Sequence, residues 1–260
     1  MTPSVWINGN AGEQNLDRGL QFADGHFTSV RITAGRACWW DYHCQRLLLA
    51  CERLQLPAPT RQQLDQMLAK VVSSDENCVV KIIITRGSGG RGYLPPSSSL
   101  PNHYWVKSPL PTAQPALRQV QVAELRLGRQ PALAGLKTLN RLEQVLLAQE
   151  REQRQLDDLL VLDQEQYLIE ACQGNLFWRQ GRQWYTPALH RCGVDGVARQ
   201  VILAHKWLGQ VNVGDFKLPH LWQAEQAFIC NSVRGAVPIA RLNGNVLTTQ
   251  LPTGLTALIS

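Results

Sequence analysis

The chain has 260 residues, is 44% hydrophobic and carries a formal net charge of +6. It holds no run of about 18 apolar residues, which excludes a membrane-spanning helix, and its start, MTPSVWINGN, lacks the basic and apolar regions of a signal peptide. Seven cysteines without a Cys-x-x-Cys pair favour reduced thiols over disulfides or a zinc site. Together these features predict a cytoplasmic globular protein.

The basic charge is compatible with nucleic-acid binding, but its distribution favours another ligand. The 26 basic residues are scattered, and twenty of them are arginines. Arginine holds carboxylates and phosphates through paired hydrogen bonds. A small anionic ligand therefore explains the excess of arginine over lysine at least as well as nucleic acid does. The histidines are isolated from one another, which argues against a metal site. We therefore expect a small-molecule ligand, with neither nucleic acid nor a membrane as partner.

Helix and strand patterns alternate along the chain, which is typical of an α/β protein. The first half predicts four elements: amphipathic helices over 41–54 and 60–72, the second with a threonine cap, and strands over 79–85 and 104–107. The second half predicts strands over 120–125 and 159–162, a hairpin over 175–186 turning at Gln180-Gly181, a helix from Val197 and a strand near Ala227.

The segment SPLPTAQPAL, residues 108–117, has three prolines in ten positions. Such a composition is typical of a linker between domains. We therefore predict an N-terminal domain over 1–107 and a larger C-terminal domain over 118–260. A cleft between two such domains is a common place for a ligand.

The segment LAGLKTLNRLEQVLL, residues 133–147, predicts an amphipathic helix with Lys137 just ahead of it. Leu139, Leu142, Val145 and Leu146 recur at helical spacing, and polar residues fill the other side. On periodicity alone, Lys137 is more simply interpreted as a solvated charge than as a functional group. Other parts of the chain must supply a reason for a functional interpretation.

Three loops look suited to anions. RGSGGRG (86–92) follows the strand over 79–85, GVDGVARQ (193–200) precedes a helix whose first amides can bind a phosphate, and CNSVRG (230–235) offers Asn231 and Ser232 after a strand. None is a Walker loop or a dinucleotide fingerprint. Glu170 ends the strand-like run YLIE and, if buried, needs a cationic partner: an arginine or a protonated ring nitrogen.

Taken together, these segments resemble the fold-type IV pyridoxal-phosphate enzymes. The likeness runs through FADGHFTSVR, HCQRL, GLKTLNRL, LIEACQGNLF, GVARQ and CNSVRGAVPI, in that order over nearly the whole chain. Within that family it is greatest to the lyases of 4-amino-4-deoxychorismate, especially in RGSGGRGY and LAGLKTLNRLEQVLL. The resemblance implies a two-domain α/β fold with the active site at the domain interface and pyridoxal phosphate as cofactor.

The resemblance also implies a role for each matching residue. Lys137 matches the lysine that forms a Schiff base with the cofactor, and Glu170 matches the carboxylate that keeps the pyridine nitrogen protonated. The phosphate is assigned to Arg46, the amides of Val197 and Ala198, and Ser232, with Asn231 beside it. Thr28 or Ser29 is expected to orient the lysine.

The substrate side of the site is assigned by the same likeness. Arg91 and Tyr93 match positions that bind the substrate carboxylate, typically from the neighbouring subunit, so a homodimer is implied. Lys137 is expected to remove the proton from the carbon that bears the substrate amine. Expulsion of the enolpyruvyl group then makes the six-membered ring aromatic and gives 4-aminobenzoate and pyruvate. The implied function is thus a lyase of folate precursor synthesis.

Two alternatives remain at this point. The first is an aminotransferase of D-amino acids or of branched-chain amino acids. The former usually carry histidine in place of Tyr93 and tyrosine in place of Phe27, and the latter lack RGSGGRGY, so both differences favour the lyase. The second alternative is a non-catalytic protein that binds an anion or nucleic acid, and the presence of Lys137, Glu170 and Arg46 argues against it.

Overall fold

The computed structural model describes residues 5–7, 10–12, 16–113 and 115–259. A short antiparallel hairpin comes first, formed by β1 (Val5–Ile7) and β2 (Asn10–Gly12). No helix of the described residues is long and apolar enough to cross a membrane. All seven cysteines carry free thiols.

A four-stranded antiparallel sheet with the order β4-β3-β5-β6 organises the first half. Its elements are α1 (Arg18–Phe22), β3 (Gly25–Thr33), β4 (Arg36–Ala37), α2 (Trp40–Arg53), α3 (Arg61–Val71), β5 (Cys78–Thr85) and β6 (Asn102–Ser108). The two predicted helices and two predicted strands are confirmed. Thr60 caps α3 as expected, within a reciprocal capping box with Gln63.

Two five-stranded sheets, ordered β12-β11-β10-β13-β14 and β16-β15-β7-β8-β9, organise the second half. Its elements are β7 (Val120–Leu127), α4 (Leu142–Gln153), β8 (Asp158–Asp163), β9 (Leu168–Ala171), β10 (Asn175–Gln180), β11 (Gln183–Pro187), α5 (Val197–His205), β12 (Val211–Gly214), α6 (Leu218–Leu221), β13 (Gln226–Asn231), β14 (Gly235–Pro238), β15 (Arg241–Leu242), β16 (Asn245–Val246) and the 3₁₀ helix η1 (Thr253–Ile259). The predicted strands, hairpin and helix are all present. The hairpin turn lies one residue later than predicted, because Gln180 pairs with Gln183.

The helix predicted after Lys137, with Leu139 as its first apolar position, is present but begins later than predicted. The helix begins only at Leu142, and the backbone before it forms a bridge between Thr138 and His26 of β3. The predicted apolar face is also not buried within the chain, since Leu142 is 73% exposed and Leu146 is 53% exposed. We refer below to Leu142, Val145 and Leu146 as the α4 apolar face.

The chain segments on either side of the proline-rich stretch meet along the face of β3. Ser232, in the turn after β13, donates from Oγ to Ser29 O at 2.8 Å, and Arg31 donates to Val233 O at 2.9 Å. The described residues of 109–119 form no helix or strand. The proposed division into domains over 1–107 and 118–260 stays a prediction. These contacts bring β3 next to the turn after β13, so a site that uses residues of both halves can lie beside them.

Candidate active site

Lys137 lies on a loop held beside the start of β3. The Phe27 N–H donates to Lys137 O at 2.9 Å, and the Leu139 N–H donates to Gly25 O at 3.0 Å. From this loop the lysine side chain enters a cavity of about 220 Å³. The cavity is also lined by most of the residues that the sequence assigned to a site: Ser29, Arg46, Glu170, Val197, Asn231 and Ser232.

The amine of Lys137 is easier to deprotonate than an ordinary lysine. Burial, and then the positive charges of Arg46 and Arg141, lower the pKa of Lys137 to about 8. Its Nζ lies 4.8 Å from the centre of the Phe27 ring and makes no hydrogen bond or ion pair with any described residue. A neutral amine is the form that attacks carbonyl carbons and accepts protons, so Lys137 is suited to both tasks.

One end of the cavity offers donors to an anion. Arg46 is 9% exposed and uses one of its N–H groups to donate to Asp195 O at 2.7 Å. Beside it, α5 begins after Gly196 without a side-chain cap, so its first amides have no such acceptor. Val197 lines the cavity and Ala198 is buried next to it. An arginine beside an uncapped helix N-terminus is a site for a phosphate or carboxylate.

A buried carboxylate lies at another wall of the cavity. Glu170 on β9 accepts a hydrogen bond at Oε2 from the Val194 N–H at 2.9 Å, while Oε1 has no hydrogen-bond partner among the described residues. Burial raises the pKa of Glu170, against the opposing effects of the Val194 hydrogen bond, Arg141 and Lys137. A cationic group of a ligand next to Oε1 would keep this carboxyl ionised.

The turn between β13 and β14 contributes differently from the prediction. Asn231 Oδ1 accepts from the N–H groups of Val233 and Arg234, at 3.0 and 2.8 Å, and Asn231 Nδ2 donates to Gln173 O at 3.0 Å. Its amide therefore shapes the turn, although the residue lines the cavity. Ser232 is placed by that turn with its hydroxyl at the cavity wall.

Strand alternation separates the two candidates for orienting the lysine. Thr28 is completely buried on the far face of β3, where its Oγ1 lies 2.7 Å from His43 Nδ1. Ser29 faces the opposite way and lines the cavity. Of the two residues, only Ser29 lines the cavity that the Lys137 side chain enters.

The residues predicted to bind substrate are divided between two places. Phe27 lies beside Lys137, whereas Arg91 and Tyr93 are exposed on the glycine-rich loop and do not line the cavity. Arg18 holds this loop by donating to Gly92 O at 3.1 Å and Tyr93 O at 2.8 Å. Of the three predicted anion loops, those over 193–200 and 230–235 line the cavity, and the loop over 86–92 does not.

Two residues at the start of α4 line the cavity without having been predicted from the sequence. Arg141 lines the cavity and donates to the carbonyl groups of Leu136 and Thr138. Gln144 also lines it, with a buried Oε1 that lacks a hydrogen-bond partner among the described residues. Both were placed on a polar, outward face of the predicted helix, and only the later helix start turns them inward.

The set of groups around the cavity matches one kind of ligand. An arginine and helix amides suit a phosphate, a buried carboxylate with a free oxygen suits a protonated ring nitrogen, and a lysine of lowered pKa suits an aldehyde. Pyridoxal phosphate carries all three groups, and the residues present fit it.

Comparison with known proteins gives consistent results. The sequence model of the amino-transferase class IV family matches residues 25–242. An aminodeoxychorismate lyase from Vibrio harveyi is 32% identical over 96% of this chain and 95% of its own length. The crystal structure of 4-amino-4-deoxychorismate lyase from Pseudomonas aeruginosa matches at 33% identity and a TM-score of 0.83, covering 95% of this chain and 94% of that one. The PLP-bound form of a hypothetical aminotransferase from Mycobacterium tuberculosis shares the fold at 17% identity, with a TM-score of 0.78 over 98% of this chain and 96% of that one.

Proposed function

The chain belongs to the amino-transferase class IV family, and from that premise we propose that it is an aminodeoxychorismate lyase. It removes pyruvate from 4-amino-4-deoxychorismate and releases 4-aminobenzoate, a folate precursor. The observation that carries this function is the meeting of Lys137, Glu170 and the Arg46 anion site in one cavity. The likeness to the lyases from Vibrio harveyi and Pseudomonas aeruginosa supports it over 96% and 95% of the chain.

Pyridoxal phosphate is the cofactor, and the cavity offers a contact for its phosphate, its ring nitrogen and its aldehyde. Arg46, the first amides of α5 and Ser232 would hold the phosphate, Glu170 would hold the ring nitrogen, and Lys137 would bind the aldehyde carbon. When bound, the cofactor supplies a carbonyl carbon for amines and a ring that withdraws electrons from the carbon next to them.

Lys137 moves the protons of the reaction. With a pKa near 8, a free Lys137 Nζ would be available as a neutral base when the substrate amine occupies the site. Nζ accepts the proton from the substrate carbon that bears the amine, and the enolpyruvyl C–O bond then breaks. The same Nζ returns a proton to the departing enolpyruvate, which becomes pyruvate, and the remaining ring becomes aromatic. We assign the orientation of the amine to the Ser29 hydroxyl, because Ser29 lines the same cavity.

The functional unit is proposed to be a homodimer. The α4 apolar face is exposed in the single chain, and so are Tyr93 (87%) and Leu94 (77%) on the glycine-rich loop. Exposed apolar groups of this size are stabilised when a second copy covers them. In such a dimer the loop of one copy is available to bring Arg91 and Tyr93 to the cavity of the other. The cytoplasm remains the compartment that we propose from the sequence.

Two parallel activity assays test this function against transamination. The cofactor-loaded protein is supplied with 4-amino-4-deoxychorismate in one reaction and with D-alanine plus a 2-oxo acid in another. We expect release of 4-aminobenzoate to be the faster reaction by far. The proposed function is wrong if transfer of the D-alanine amino group is rapid and no 4-aminobenzoate is formed.

A further inference from the structure

Three consecutive carbonyl groups around Lys137 are each held by a hydrogen bond. Arg141 donates from Nη2 to Leu136 O at 2.8 Å and from Nε to Thr138 O at 2.9 Å, and the Phe27 N–H donates to Lys137 O. We propose that Arg141 is the positioning residue for Lys137: it clamps the backbone on both sides of the lysine and places a permanent positive charge beside its amine. The proposal rests on the function given above, because it concerns the same lysine.

The shape of the guanidinium group explains why an arginine stands here. Its N–H donors are fixed in one plane, so a single group can reach the carbonyl before Lys137 and the carbonyl after it. Arg141 itself is the residue that precedes the first turn of α4. The lysine backbone is thus tied to a helix on one side and, through Phe27, to β3 on the other. A lysine in place of Arg141 has a compact ammonium group that lacks this paired geometry.

The positive charge of Arg141 lowers the pKa of Lys137, as burial and the charge of Arg46 also do. Four charged groups face Lys137 from the elements around it: Arg46 of α2, Lys81 of β5, Glu170 of β9 and Arg141. After burial, the charges of Arg46 and Arg141 are the main causes that lower the pKa of Lys137, while Glu170 opposes them. An arginine stays protonated wherever a lysine titrates, so removal of Arg141 leaves less of the neutral amine at neutral pH.

The test measures how fast the apoprotein captures pyridoxal phosphate as a function of pH, followed by the visible absorbance of the bound cofactor. Only the neutral Lys137 amine reacts, so the wild-type rate should rise through a midpoint near pH 8. In Arg141→Gln we expect the midpoint to rise by about one pH unit. In Arg141→Lys we expect the midpoint to stay near the wild-type value, because the charge is kept, and the rate to fall because the clamp is lost.

Arg53→Gln provides a matched control. Arg53 donates to Ala134 O at 2.8 Å and to Ala132 O at 2.9 Å, so it ties down the same loop without being among the charges that lower the pKa of Lys137. We expect its loss to lower the thermal stability and to leave the midpoint of capture unchanged. An equal shift in this control would mean that any loosening of the loop moves the midpoint, and the role of Arg141 would be refuted.

The remaining outcomes also decide the question. A folded Arg141→Gln protein with the wild-type rate and midpoint overturns the proposal. If that variant does not fold, Arg141→Lys decides, since a wild-type capture rate would show that the paired hydrogen bonds are dispensable. If Lys137→Ala captures the cofactor with the same absorbance as the wild type, the proposed function itself fails, and the role of Arg141 fails with it.

Discussion

Gly196 stands immediately before the α5 amides that we assign to the cofactor phosphate, and replacing it with alanine should disrupt them. Its N–H donates to Asn175 Oδ1 at 3.0 Å, and Asn175 Nδ2 donates to Val194 O at 2.8 Å. A Cβ on Gly196 would overlap Asn175 Oδ1, well inside the 3.0 Å that Cβ atoms respect. Alanine suits the backbone here (φ −64°, ψ 142°), so the overlap itself is what the substitution introduces.

The loss of stability or of cofactor affinity in Gly196→Ala depends on whether Asn175 or the start of α5 moves to make room for the new Cβ. Asn175 is 4% exposed, so displacing it costs two buried hydrogen bonds at about 1 kcal/mol each. With an overpacking cost of about 1–3 kcal/mol, the free energy of unfolding should fall by about 3–5 kcal/mol. If the start of α5 moves instead, a hydrogen bond to the charged phosphate is lost, at about 1.5–3 kcal/mol, and affinity for pyridoxal phosphate falls about 10- to 100-fold.

Equilibrium dialysis with pyridoxal phosphate and thermal unfolding of the apoprotein together measure both effects. Gly128→Ala is the matched control, because its Cβ would meet only the flexible end of Glu143 at 3.4 Å and its φ is not positive. We expect this control to behave like the wild type. The reasoning is refuted if Gly196→Ala keeps the wild-type affinity for the cofactor and the wild-type stability.

Four further substitutions are predicted to have measurable effects, the last of them through the pH dependence of stability. Glu170→Gln keeps an acceptor for Val194 but removes the charge, so we expect the cofactor to bind and kcat to fall about 100-fold or more in a steady-state assay; an unchanged kcat contradicts the assignment. Arg18→Lys loses the paired donors to the glycine-rich loop, so KM for the substrate should rise about tenfold with a smaller change in kcat, and an unchanged KM argues against a role for that loop. Leu146→Glu places a charge on the α4 apolar face, and sedimentation should show monomers; a stable dimer would locate the interface elsewhere. Burial raises the pKa of Asp158 from 3.8 to about 7, so the folded protein binds a proton that the unfolded chain has released, and the free energy of unfolding should fall as the pH rises from about 4 to 7. Asp158→Asn should flatten that slope in urea titrations, and an unchanged slope would assign it to other groups.

Local sequence patterns correctly predicted most of the helices and strands that were expected. They also identified several residues that line the cavity. The run VVKIIIT gave β5 because its β-branched residues suit a strand, and Thr60 gave the start of α3 through its cap. The alternation of side chains along β3 also separates its two hydroxyl residues. Thr28 lies on the same face as the buried, apolar Val30, and Ser29 lies on the opposite face.

The errors arose where pairing between distant segments overrides local pattern. Helical spacing continues through residues 139–141, but the Leu139 N–H donates to Gly25 O and that stretch lies outside the helix, which no local signal shows. Arg141 was therefore missed. Asn231 lines the cavity, and its assignment to the cofactor stays a prediction; its side chain is held by hydrogen bonds to its own turn and to Gln173 O, which the sequence does not show. Arg91 does not line the cavity, and its approach from a second copy of the chain, as proposed above, is not something that a local sequence pattern can show.

Stoichiometric product analysis tests the central claim most directly. The cofactor-loaded wild type and Lys137→Ala are each incubated with 4-amino-4-deoxychorismate, and 4-aminobenzoate and pyruvate are quantified by chromatography. We predict that the wild type forms both products in equal amounts and that the variant forms neither above the rate without enzyme. Equal product formation by Lys137→Ala, or binding of the cofactor by the wild type without either product, would contradict the account.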